Sequence, residues 1–179
     1  SWVMRCLPLA GLPLFMSCLV TEPIQIPEEV NLPPSIMSAP EARAMGTSLD
    51  QIVVFDEGDR EMEQEFQVVV RDPNADQSLE YQIWVDFNGS LDSLVGTGTN
   101  DPTGTMDRSC TFTVRSDKLG PAAACRKVEL LVSTEFDFDI GTMLREPVEP
   151  LDIAQAVWWV RVIDTGDVDR QAIDLDSCR

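Results

Sequence analysis

From Leu49 onward apolar and polar residues alternate with a period of two, the mark of strands that bury one face and wet the other. Met62, Gln64, Phe66, Val68 and Val70 share one phase, against Glu63, Glu65, Gln67, Val69 and Arg71. Tyr81, Ile83, Val85 and Phe87 stand against Gln82, Trp84, Asp86 and Asn88. Phe112 and Val114 follow, then Val128, Leu130 and Val132, then Ala156, Trp158, Val160 and Val162, and a shorter apolar run at 52–55 precedes them all. Turn chemistry separates the runs at Asp72-Pro73-Asn74, Asn88-Gly89-Ser90, Leu119-Gly120-Pro121 and Thr165-Gly166. Residues 90–107, rich in glycine and threonine, read as one long surface loop. No segment sustains a helical repeat. Six or seven short strands without crossover helices predict an all-β fold, an antiparallel sandwich, with a small closed barrel as the competing architecture.

Upstream of this pattern, Pro23, Pro27, Pro33, Pro34 and Pro40 interrupt acids and isolated aliphatics. Proline at that density disfavours both helix and ladder, so residues 18–48 read as an extended stalk reaching roughly 90 Å at 3.1 Å per residue. The alternative is that Ile24 and Ile26 pair onto the sheet as an edge strand. A brief helical pattern at 39–45 is too short to interpret. Ahead of the stalk, Met4-Arg5 reads as an initiation point, followed by an apolar stretch at 6–16 that holds Pro8 and Pro13. It is too short to span a bilayer and has the shape of an export signal.

The end of that stretch, Leu14-Phe15-Met16-Ser17-Cys18, resembles the lipobox of bacterial lipoprotein precursors. Phe15 and Met16 stand where the family usually has leucine and a small residue, whereas Ser17 fits. The resemblance implies a signal peptide at 1–17, lipidation of Cys18, and contact with the membrane through that lipid. With Leu19 rather than aspartate next, it also implies the outer membrane of a bacterial cell envelope, periplasmic or surface-facing. A cleaved signal without lipid and a buried apolar segment are the alternatives. Over 49–166 the strand order and lengths resemble immunoglobulin-like or fibronectin type III domains, without their central disulfide pattern. The expected organisation is thus 1–17 signal, 18–48 anchor and linker, and 49–179 an immunoglobulin-like β-sandwich of about seven strands with a C-terminal tail.

Charge narrows the function. The 179 residues carry 31 acidic against 13 basic side chains, a formal net charge of -18, which repels phosphate backbones and excludes nucleic acid as a partner. The absence of histidine removes Ser-His-Asp and Cys-His catalysis and histidine-ligated zinc. Acidic clusters remain: Asp56, Glu57 and Asp59; Asp72 and Asp76; Asp86 and Asp92; Asp137 and Asp139; and Asp164, Asp167, Asp169, Asp174 and Asp176. Loop carboxylates of this kind can ligate calcium, but none has EF-hand spacing, and with so many acids the expected role is solvated charge. We therefore expect no catalytic residues, no metal site and no cofactor, with calcium-stabilised adhesion as one alternative. A carboxylate-dependent polysaccharide hydrolase is the other, although nothing selects its acid pair.

The cysteines and tryptophans supply the remaining candidates. With Cys6 in the signal and Cys18 lipidated, Cys110, Cys125 and Cys178 remain. In an antiparallel sandwich the last strand ends beside the start of its predecessor, where Cys125 lies, so a Cys125–Cys178 disulfide is expected, with Cys110–Cys178 as the second choice. Trp84 and Trp159 take the outward phase of their strands, which marks them as contacts for a protein or polysaccharide partner in the envelope. Cover by the tail, through Ile173 and Leu175, or by the stalk is the alternative.

Overall fold

The alternating runs become eight strands in a computed structural model, which describes residues 30–57, 63–121, 124–137, 145–166 and 178. In chain order they are β1 (Ser35–Ser38), β2 (Val53–Asp56), β3 (Glu63–Arg71), β4 (Leu79–Val85), β5 (Leu94–Asn100), β6 (Asp107–Arg115), β7 (Ala124–Ser133) and β8 (Ala154–Ile163). One helical turn, α1 (Ser116–Leu119), follows β6. Two sheets result, one ordered β1-β3-β6 and the other β2-β8-β7-β4-β5. Every pairing is antiparallel except β2 with β8. The first strand of the sandwich is divided, β1 joining the smaller sheet and β2 the larger. This is an immunoglobulin-like β-sandwich: the periodicity predicts the sandwich and the resemblance in strand order its immunoglobulin-like kind.

The inward phases meet as a single core. Phe66 and Phe112 face each other across β3 and β6 and stack with centroids 5.2 Å apart. From the other sheet Trp158 meets Phe66 at 5.1 Å and Phe112 at 5.6 Å, so three aromatic rings join the layers. Val68, Val70, Val114, Val128, Leu130, Val160 and Val162 are fully or almost fully buried around them.

The domain begins earlier than the period-two pattern indicates. Its compact unit starts at Asn31, inside the stretch assigned to a linker. Asn31 donates to Glu149 at 2.9 Å, the Leu32 amide donates to Asn74 at 3.0 Å, and β1 pairs with β3. Turns across 40–46 then bury Ala42 and Thr47, whose carbonyl accepts the Trp158 indole N–H at 2.8 Å. Four residues per strand are too few to register as alternation, and prolines 33 and 34 sit just before β1 rather than within it. Ile24 and Ile26, and the signal at 1–17, lie outside the described residues.

Two further departures are local. Residues 90–107 are not all loop, because β5 runs through them as an edge strand. Its glycines hid it: a methyl on Gly98 would overlap the Tyr81 ring, and one on Gly96 would lie 3.1 Å from Ile83 Cδ1, so the neighbouring strand's side chains fill the space. Phe87 also leaves the inward phase. Asp86 has φ +46, which breaks the alternation after Val85 and turns Phe87 onto the outer side of the sheet.

One end of the sandwich is held by a buried ion pair. Arg108 and Asp72, each with a side chain only 1% exposed, meet at 2.9 Å. The same guanidinium donates to the carbonyls of Gln77 at 2.6 Å, Asn100 at 3.1 Å, Asn74 at 3.2 Å and Ala75 at 3.3 Å. The turn from β3 to β4 thus wraps around an arginine from β6, and the hydrogen bonds repay the desolvation of both charges. Asp72→Asn leaves the arginine charge buried and unpaired, and costs about 3–5 kcal/mol, or roughly 10 °C in melting temperature. Asp72→Leu with Arg108→Met does not restore the loss, because the four carbonyls then lose the hydrogen bonds the guanidinium gave them; thermal denaturation of both variants checks this.

Candidate functional site

The outer face of the larger sheet carries both tryptophans that the sequence nominates. Trp84 on β4 lies opposite Glu129 on β7, and Glu129 lies opposite Val157 on β8. One row away, Trp159 on β8 lies opposite Lys127. The two indoles thus share a face with β7 between them, and do not meet.

Trp84 is 1% exposed and cannot be the open contact its phase suggests. The chain between β7 and β8 folds back over it: Phe136 bridges to Pro147, the Asp137 amide donates to the Glu146 carbonyl at 2.9 Å, and the Val148 amide donates to the Glu135 carbonyl at 3.0 Å. Phe136 and Leu131 cover the indole, Phe87 meets it edge-on at 5.0 Å, and Leu94 and Ile153 close the sides. Its N–H donates to Gln82 at 3.0 Å. Among the described residues the cover comes from this connection; Ile173 and Leu175 lie outside them. Phe136 and Ile153, apolar residues in what reads as a loop, were the available signal.

Charge pins the connection in place. Arg145 donates from both Nη atoms to the Glu129 carboxylate at 3.1 and 3.3 Å, Gln155 donates to it at 2.7 Å, and Lys127 pairs with it at 3.3 Å. Glu129 is 2% exposed, so its charge is held almost wholly by these donors. The Arg145 guanidinium also stacks over Phe87 at 4.2 Å and Trp84 at 5.6 Å. At the far end of the connection Asp152 accepts from the Thr134 amide at 3.0 Å, from Ser133 Oγ at 3.3 Å and from Thr134 Oγ1. This is a second, smaller core on the outer face, locked by salt bridges.

Trp159 on β8 is partly exposed, and Val54 on β2, opposite Arg161 of β8, is exposed. Several of the described acids have structural tasks. Asp56 accepts from the Thr165 amide at 3.2 Å and its hydroxyl at 2.5 Å; Asp86 accepts from the Lys127 amide at 2.8 Å and from Arg126 at 2.9 Å; Asp164 accepts from the Gly166 amide at 2.9 Å. Among the described residues no three Asp, Glu or Cys converge as a metal-binding group. Asp59, Asp139, Asp167, Asp169, Asp174 and Asp176 lie outside them, as do Cys6 and the lipidation candidate Cys18.

Cys125 and Cys178 are joined by a disulfide, with Cα atoms 5.2 Å apart. Cys125 lies near the start of β7, opposite Arg161 near the end of β8, where antiparallel pairing brings the C-terminal tail. Cys110 is free and buried; burial pushes its thiol up to about 11, against a weaker opposing hydrogen bond from Asn100, so it is a packing residue and not a nucleophile. No helix among the described residues is long and apolar enough to cross a membrane.

No protein-family model matches the chain, and no curated protein matches it. Among solved structures it is similar to a CARDB domain from Pyrococcus furiosus, solved in complex with di-metal ions, at 11% identity and a TM-score of 0.39 over 73% of this chain and 92% of that one. It is also similar to a chain in the complex of zinc 2-glycoprotein with prolactin inducible protein from human seminal plasma, at 6% identity and a TM-score of 0.36 over 76% and 98%. The fold class stands on the strand pairing itself rather than on these likenesses.

Trp84→Ala empties a packed, hydrogen-bonded site and lowers stability by about 3–5 kcal/mol, whereas Trp159→Ala costs about 1 kcal/mol. Chemical denaturation of the two variants separates them. Cys178→Ser opens a loop set by a sequence separation of 53 and lowers stability by about 2–4 kcal/mol in the same assay.

Proposed function

We propose that the chain is an exported bacterial envelope protein, anchored by lipid on Cys18, whose β-sandwich binds or braces a partner without catalysis. The observation that supports this reading most is the Cys125–Cys178 disulfide, because structural disulfides persist in oxidising compartments outside the cytosol. It agrees with the export-like residues 1–17 and the lipobox-like residues 14–18, which point to the same place by a different route. The domain's own architecture supports the non-catalytic half of the reading. Its buried charges sit in rigid pairs, Arg108 with Asp72 and Arg145 with Glu129, that act as struts between segments. With the domain starting at Asn31, the dozen residues 19–30 reach about 40 Å when fully extended, less than half the stalk the sequence suggests.

Intact mass of the protein from detergent-extracted bacterial membranes tests the reading. The expected mass is that of Cys18 to Arg179 plus a diacylglyceryl and an acyl group, less two hydrogens for the disulfide; Cys18→Ser loses the lipid increment. A chain that keeps residues 1–17, with all thiols reduced, would overturn it.

A further inference from the structure

β5 is the last strand of the larger sheet, so one row of its backbone N–H and C=O groups meets no strand among the described residues. Among the described residues the edge is closed at Asn100, where its side chain donates to the Ser109 carbonyl at 3.0 Å and its own carbonyl accepts from Arg108. An open edge is a template for another chain, and proteins guard theirs with lysine, proline or short length. Of the other edge strands, β1 and β2 have four residues each and β6 carries Asp107, Arg108 and Arg115. β5 has seven, Leu-Val-Gly-Thr-Gly-Thr-Asn, with neither charge nor proline, and its register with β4 is regular from Gly96 to Asn100. Thr97 and Thr99 are exposed, and beside them lies a groove of about 190 Å³ lined by Glu80, Tyr81, Thr97, Gly98, Thr99 and Phe136. A side chain of an added strand has a place to go.

Charge selects the occupant. Residues 72–107 hold seven acidic side chains and no lysine or arginine. Ion pairs neutralise Asp72, Asp86 and Asp107, and none among the described residues holds Asp76, Glu80, Asp92 or Asp101. A second copy would bring another chain of formal charge -18 to this acidic edge, which like-charge repulsion opposes. We propose that the β5 edge is a docking site for an extended, basic segment of a partner protein, added as a further strand of the larger sheet. The inference deepens the binding half of the reading above, and its test does not depend on whether Cys18 carries lipid.

The test is fluorescence anisotropy of the whole chain with a capped peptide of alternating lysine and valine, about one strand in length. Two companions accompany it, one with alternate amides N-methylated and one with glutamate for lysine. The lysine peptide is expected to bind saturably, and N-methylation, glutamate substitution and the exposed-face variant Thr97→Lys with Thr99→Lys each to weaken it by about tenfold or more. Thr97→Ser with Thr99→Ser retains binding, and the thermal melt of both variants matches the parent. No saturable binding, equal binding of the N-methylated peptide, or equal binding of the glutamate peptide would overturn the proposal. A dimer seen by sedimentation and abolished by the lysine variant would also overturn it, by making a second copy the occupant.

Discussion

The Trp158 indole is the constraint on which the sandwich depends. Its ring closes against Phe66 and Phe112 of the opposite sheet, and its N–H reaches back to the Thr47 carbonyl. A tryptophan in a core must satisfy its single donor, and here the acceptor comes from the segment between β1 and β2. That bond draws residues 39–48 over the core, and with them the divided first strand. Because the strand period is two, placing Trp158 inward places Trp159 outward, and the β8 register then sets the outward phase of β7 and β4.

On the outer face that phase puts Trp84, Leu131 and Glu129 where water would otherwise be. The connection from β7 to β8 resolves this by becoming a third layer, so the second half of β7 is buried on both faces. Its lock is a carboxylate with three donors rather than a bare pair, which is the condition under which a buried charge is tolerable. Among the described residues the β5 edge and part of Trp159 stay open, whereas Trp84 of the tryptophan pair that simple alternation nominates is buried.

Where side chains declare their own burial, the fold was legible: the long strands β3, β4, β6, β7 and β8 follow from alternation alone, as does the inward Cys110. The Cys125–Cys178 pairing followed from antiparallel geometry. What was hidden depended on partners distant in sequence. β5 shows no alternation because Tyr81 and Ile83 of its neighbour stand in for its missing side chains. β1 is too short to alternate. The cover on Trp84 comes from residues some fifty positions away, joined through the Glu80 carboxylate to the Phe136 amide at 3.1 Å and through Arg145 to Glu129. Asp72 read as loop charge because nothing local shows that Arg108, 36 residues on, would bury it.

A divided first strand, a locked outer layer and a cystine near the C-terminus agree with the proposed oxidising compartment. The cystine is the point at which fold and location meet. A non-reducing peptide map of the protein isolated from cells, alkylated before and after denaturation, tests that connection most directly. The account predicts a linked Cys125–Cys178 peptide pair and a Cys110 thiol that takes label only after denaturation. Free Cys125 and Cys178 in the native protein would contradict it.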